Sequence, residues 1–195
     1  MVLRARVAAA PGDGVSIFDG LTPPYSTIVA DPPWHYDPGG PTTGWGPLRP
    51  PPYSSMTVAE IAEMPVGELC SADAHLYLWT TNAYLAAAFG VAEAWGFRHS
   101  QTLTWCKPPR GIGPGGAFSN TTEFVLFCRR GSLAPTKRID TTWWAWPRGP
   151  HSVKPAAFGD IVEQVSPGPY LELFARSPRL GWDAWGKGYE TERAS

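Results

Sequence analysis

The chain has 195 residues, 43% hydrophobic and 17% charged, a balance that suits one globular domain and excludes a disordered or fibrous class. No apolar run approaches the 18 or so residues a membrane span needs, the apolar part of the first ten residues is too short for a signal peptide, and three widely spaced cysteines exclude a disulfide scaffold or paired zinc knuckle, so a reducing cytoplasm is expected. The net charge of −1 conceals an asymmetry: residues 98–154 hold nine bases and two acids, +7 against −8 for the remainder, which is either a phosphate-facing surface or a set of solvated loops.

Residues 26–30 (Ser-Thr-Ile-Val-Ala) form a short β-branched run that stops at Asp31-Pro32, as a buried strand ending in a loop does. A proline-rich loop follows over 35–52. Thr57, with Glu60 three residues on, is a capping-box signal for a short helix. Residues 74–79 predict a second buried strand. The alanine-rich stretch 82–95 predicts a helix stopped by Gly96. Two more strands are expected at 101–106 and 123–128, separated by a Gly- and Pro-rich loop over 107–119. Residues 156–165 predict a helix after Pro155, and 169–175 a last strong strand. Strands alternating with helices point to an α/β fold, a mostly parallel sheet with helices on both faces and a site at the carboxyl ends of the strands.

The feature that carries chemistry is Asp31-Pro32-Pro33-Trp34 directly after the first buried strand. Methylating an exocyclic amine on an aromatic ring is hard because the nitrogen lone pair is delocalised. Acceptors aimed at its two hydrogens draw it toward a tetrahedral geometry and absorb the developing charge. The Asp31 carboxylate is one such acceptor, and the Pro32 carbonyl, with no competing N–H, is a second. Two successive prolines, Pro32 and Pro33, stiffen the backbone so that both are aimed in advance. Trp34 offers a face on which a flipped base could stack. The same tetrapeptide also suits a rigid turn with a core tryptophan. A sulfonium methyl donor is already activated, so positioning and electrostatics would supply most of the acceleration without a metal. Glu172, near the end of the last strand, is placed like an acid that meets ribose hydroxyls, or like a solvent-facing strand residue. Lys154, before the helix at 156, could meet a carboxylate or phosphate, or simply be a solvated helix start.

With these residues in view, the chain resembles the mRNA adenosine N6-methyltransferase (methyltransferase-like) family and its bacterial and phage relatives. The likeness spans about residues 25–186 and rests on ordered blocks. These are Ala30-Asp-Pro-Pro-Trp34, Leu76-Tyr-Leu-Trp79 with Thr80-Thr-Asn82, Ala94-Trp-Gly-Phe97, Thr104-Trp-Cys-Lys107 and Asn120-Thr-Thr-Glu123. His151-Ser152 with Lys154-Pro155, Glu172-Leu-Phe-Ala-Arg176, and Gly181-Trp182 with Trp185-Gly186 complete the set. The resemblance implies a Rossmann-like S-adenosylmethionine-dependent methyltransferase with permuted motif order, the catalytic strand early and the donor-binding strand late. One domain would span 1–195, with an N-terminal extension over 1–24, active-site or interface loops at 35–52 and 107–119, and a tail at 188–195.

On that likeness Asp31, Pro32, Pro33 and Trp34 are the catalytic positions. Asp31, Lys154, Glu172 and Arg176 face the donor, and Tyr36, Lys107, Arg110 and Asn120 meet the substrate. Ala175 stands where the family often has Gly, Lys187-Gly188 where it often has Asn-Gln, and Val153 interrupts its Ser-His-Lys-Pro grouping. The ten tryptophans read mostly as core, with residues 143–146 (Trp-Trp-Ala-Trp) as either core or an exposed binding patch. The expected reaction is methyl transfer from S-adenosylmethionine to adenine N6 in nucleic acid. The chain's brevity favours DNA over RNA, and a homodimer or heterodimer is compatible. A catalytically silent, nucleic-acid-binding partner subunit is the competing reading. Cytosine-N4 and glutamine methyltransferases fit less well, since those classes resemble Ser-Pro-Pro-Trp and Asn-Pro-Pro-Tyr.

Overall fold

The computed structural model describes residues 6–8, 17–18, 20–35, 55–109, 118–149 and 153–186. Its strands are β1 (Arg6–Ala8), β2 (Tyr25–Ala30), β3 (Cys70–Thr80), β4 (Arg98–Cys106), β5 (Thr122–Arg130), β6 (Trp143–Ala145), β7 (Tyr170–Leu173) and β8 (Trp182–Trp185). Its helices are α1 (Val58–Glu63), α2 (Leu85–Ala94) and α3 (Ala156–Val165), with a 3-10 turn at Val66–Leu69.

The strands form one sheet in the order β1-β8-β7-β2-β3-β5-β4-β6. Every strand runs parallel to β2 except β5, which is antiparallel to both its neighbours. Strands covered on both faces need apolar residues at successive positions. That explains the run in β2, buried everywhere but Ser26, and the last seven residues of β3, all of them buried. Ile28, Ala30, Leu76 and Leu78 pack toward α1 and α2, with Ile61, Val91 and Trp95. Val29, Tyr77 and Trp79 pack on the opposite face, against Phe158 and Val162 of α3.

Local signals set the helix ends. The Thr57 hydroxyl accepts the Glu60 N–H at 3.2 Å, and the Glu60 carboxylate accepts the Thr57 N–H at 2.7 Å. Helix α2 begins at Leu85 rather than at 82, because residues 82–84 form a turn in which the Tyr84 N–H donates to the Thr81 carbonyl. Gly96, at φ +84°, follows its C-cap Trp95 in the left-handed conformation that glycine adopts most easily.

Three strands lie outside the sequence expectation. Strands β1, β6 and β8 have only three or four residues, too few to show a period. Strand β1 pairs with β8, so Arg6–Ala8 of the expected N-terminal extension belongs to the sheet. The Trp-rich segment is the edge strand β6, with Trp143 exposed and Trp144 half-buried.

Candidate active site

Parallel strands collect their carboxyl ends along one rim of the sheet, and β5, running the other way, brings its start to the same rim. Asp31 follows β2 directly, and its N–H donates to the Leu173 carbonyl of β7 at 3.4 Å. Glu172 lies opposite Val29 in register, and Glu123 opposite Trp105 near the start of β5. Lys154 comes from the turn before α3, whose N-cap is Pro155. From four separate places in the chain these side chains converge. The Lys154 Nζ donates to Asp31 Oδ2 at 2.7 Å and lies 3.4 Å from Glu123 Oε2, and it also sits 5.3 Å from the centroid of the Trp79 ring. Lys107 pairs with the other Glu123 oxygen.

The electrostatics follow from this crowding. Burial by itself would depress the Lys154 ammonium, but the Asp31 and Glu123 carboxylates offset it and hold its pKa above the usual value. Burial, then the negative charge of Asp31, pushes Glu172 up to about 7. Glu172 therefore holds its proton more tightly when folded, so its contribution makes stability fall as pH rises from about 4.5 to about 7, and level off above that. Glu172→Gln is expected to be more stable than the parent at pH 8, by roughly 2–3 kcal/mol. It should match the parent near pH 4. Urea denaturation at the two pH values reads the difference; an equal deficit or gain at both would remove the protonation argument.

The backbone at this rim is shaped by hydrogen bonds that bear on the expected roles. The Pro32 carbonyl accepts the Trp34 N–H at 2.9 Å, and a carbonyl has a second lone pair left for an incoming amine. The Pro33 carbonyl accepts the Met56 N–H at 2.8 Å, and the Met56 carbonyl accepts the His35 N–H at 2.9 Å, tying the turn to residue 56. Phe174, at φ +61°, is a non-glycine residue in the left-handed region just past β7. Such strain gathers at functional rims. The Ala175 N–H donates to Trp185, and Gly186 packs so closely that an added Cβ would lie 2.7 Å from the Ala175 carbonyl oxygen.

Two expected substrate contacts differ in this structure. The Trp34 ring, expected as an open stacking face, is only 5% exposed. It stacks on Tyr84, and its Nε1 donates to the Trp79 carbonyl at 3.1 Å, so it packs as a core tryptophan. Lys107 was expected to be available to substrate. Its charge is instead committed to Glu123 and lies over the Trp105 ring. Asn120 is exposed, and its carbonyl accepts from Arg148 at 3.3 Å. Arg176 is exposed just past the β7 end, close enough for its charge to be felt by Lys154. Tyr36, Arg110 and His151, with most of the two expected loops and the tail, lie outside the described residues.

Glu123 is the site residue that the sequence reading did not single out. The signal was its rarity, one of two acids in the basic middle of the chain. A cleft of about 650 Å³ elsewhere on the α3 face touches none of these groups.

The rim thus gathers three acidic side chains, Asp31, Glu123 and Glu172, with two ammoniums, Lys154 and Lys107. The acidic oxygens suit a ligand that offers hydroxyl and amine hydrogens, and Lys154 suits that ligand's carboxylate. Comparison with known proteins agrees with that chemistry. The MT-A70 family model matches residues 25–188. The Type II methyltransferase M.MunI of Mycoplasma sp is 31% identical over 182 residues, which cover 83% of this chain and 76% of that protein.

Proposed function

The chain belongs to the MT-A70 family of S-adenosylmethionine-dependent adenine N6-methyltransferases, and from that premise we propose that its substrate is DNA and that Asp31 holds the target amine. A carboxylate at the tip of the central strand, pinned by a lysine, is the observation that carries the reading. Type II methyltransferases are a DNA-modifying class, and the similarity to one of them supports DNA over RNA.

When bound, S-adenosylmethionine supplies an electrophilic methyl group on a sulfonium. Glu172 stands toward its ribose hydroxyls, and Lys154 and Arg176 toward its methionine carboxylate. Asp31 accepts one amine hydrogen and the free lone pair of the Pro32 carbonyl accepts the other. Charge that develops on the amine is thereby met by groups already in place. Lys154, donating to Asp31 Oδ2, holds it oriented for that task. Trp34 serves from beneath, holding the turn by its bond to Trp79, rather than by stacking on the base.

The cytoplasm is the proposed compartment. Cys70, Cys106 and Cys128 are free thiols, and burial pushes Cys70 up to about 11 and Cys128 up to about 12, which keeps both protonated and unreactive. No helix among the described residues is long and apolar enough to cross a membrane. Sequence selectivity would come from the loops at 35–52 and 107–119 or from a second subunit, identical or different.

The test is incubation with tritiated donor and matched DNA and RNA oligonucleotides, followed by mass spectrometry of the nucleosides. N6-methyladenine in DNA is the expected product. Label confined to RNA would transfer the reading to RNA, label on cytosine would overturn the amine assignment, and no label on either would favour a silent partner subunit.

A further inference from the structure

Resting on the reading that the substrate is a DNA strand, we propose that the cleft between α3, residues 131–142 and the β4–β5–β6 part of the sheet is a second nucleic-acid contact. It would hold one nucleotide of the substrate strand at a distance from the target adenine. The cleft, at about 650 Å³, is in the size range of small-ligand sites. Tyr77, Leu103 and Phe127 of the core close its floor, and the exposed Trp143 and half-buried Trp144 stand at one side. Its rim carries Arg129, Lys137 and Arg138 against a single acid, Asp140. Accessible tryptophan rings beside a cationic rim are the combination that takes a base and its phosphate together.

The charges on this rim lack counterions. Among the described residues, Arg129, Lys137 and Arg138 take part in no salt bridge, nor does Arg98, which lies outside the cleft lining. Arg98 stands directly opposite Arg129 in the antiparallel register, a like-charge pair that costs stability unless an anion bridges it. The buried Arg129 Nε has no hydrogen-bond partner, an uncommon state for a charged donor. The cleft is also built in advance. The Leu133 carbonyl accepts from His75 Nε2 at 3.1 Å and from Arg129 Nη2 at 2.6 Å, and the Thr136 N–H donates to the Val165 carbonyl at 2.7 Å.

Position decides which ligand this is. The cleft is lined by Ser100, Gln101 and Leu103 of β4 and by Trp143 and Trp144 of β6, which pair with Thr104 and Trp105, so it runs from the far end of β4 toward the rim that holds Asp31. Gln101 and Cys106 are separated along the strand by roughly 16 Å, at about 3.3 Å per residue. Across the sheet β4 lies three strands from β2, roughly 14 Å at about 4.8 Å per strand. Between the two ends, Trp144 and Trp146 stack with their rings 5.5 Å apart and 7° from parallel, along the edge strand and just past it. A strand with its adenine at Asp31 could follow this edge and place a flanking nucleotide in the cleft.

The experiment compares the full-length chain with Lys137→Glu/Arg138→Glu, both exposed positions. Fluorescence anisotropy with a labelled single-stranded 24-mer should show Kd weakened about tenfold and the salt slope reduced by about 2. The KM for methylating the 24-mer should rise about tenfold with kcat held, while a trinucleotide too short to reach the cleft should react alike with both proteins. Donor binding by calorimetry, equal in the two, establishes that the variant is folded. Equal Kd and KM for the 24-mer would overturn the proposal, as would a cleft that binds dAMP without competition from the 24-mer. If the parent methylates no nucleic acid, the reading of the reaction fails, yet the binding comparison still decides the cleft.

Discussion

Replacing Asp31 by Ala is expected to slow methyl transfer by roughly 10²–10³-fold or more, the cost of losing one pre-aimed group that meets developing charge. Single-turnover incorporation from tritiated donor is the measurement. Asp31→Asn is the sharper form, because it keeps the shape and one acceptor oxygen while removing the negative charge. If charge on the amine is what Asp31 meets, Asn should fall nearly as far as Ala; if only shape matters, Asn should retain most of the rate. Lys154 keeps Glu123 at 3.4 Å in either variant, so both should stay folded and bind donor. Equal incorporation by parent and Asp31→Ala would take Asp31 out of the chemistry altogether.

The second large effect falls on Lys154→Met. The substitution preserves length and apolar contact with Trp79 but removes the charge between Asp31 and Glu123. Breaking a fully buried pair costs about 3–5 kcal/mol. Here the side chains of Lys154 and Asp31 are 22% and 19% exposed, so solvent screens part of it and about 2–3 kcal/mol is expected. Lys154 is held above its ordinary pKa, so its stabilisation is complete below about 10.5 and is lost only as pH rises through its folded value. The deficit of the variant should therefore be constant across neutral pH and shrink only in alkali. Urea denaturation across pH reads this, and calorimetry should show donor affinity reduced at least tenfold. An unchanged midpoint together with unchanged donor affinity would mean that the ammonium is incidental to the rim.

Much of the frame was legible before any coordinates. Residues 26–30, 74–79 and 101–106 stood out as apolar β-branched or aromatic runs, and each is the core of a strand. The Thr57–Glu60 box and Gly96 marked helix ends because capping depends on neighbours three or four residues away. Asp31 was legible because a carboxylate set before a stiff Pro-Pro pair at the end of a buried strand is an acceptor aimed in advance. Strand β6 was not legible. Three residues show no period, and a tryptophan-rich run suits an edge strand as well as an exposed patch.

What the amino-acid order determined by itself was therefore local: strand cores, helix caps, and a stiff acidic turn at one strand's end. Only the tertiary structure decided that Glu123 joins Asp31, because that depends on β5 running against its neighbours and so starting at the rim where they finish. It also decided that Trp34 faces inward and that Lys107 is already paired. Side-chain direction and ion-pair choice depend on groups dozens of residues apart. Their energies arise from burial and Coulomb attraction across the folded sheet, and no short window of sequence contains both partners.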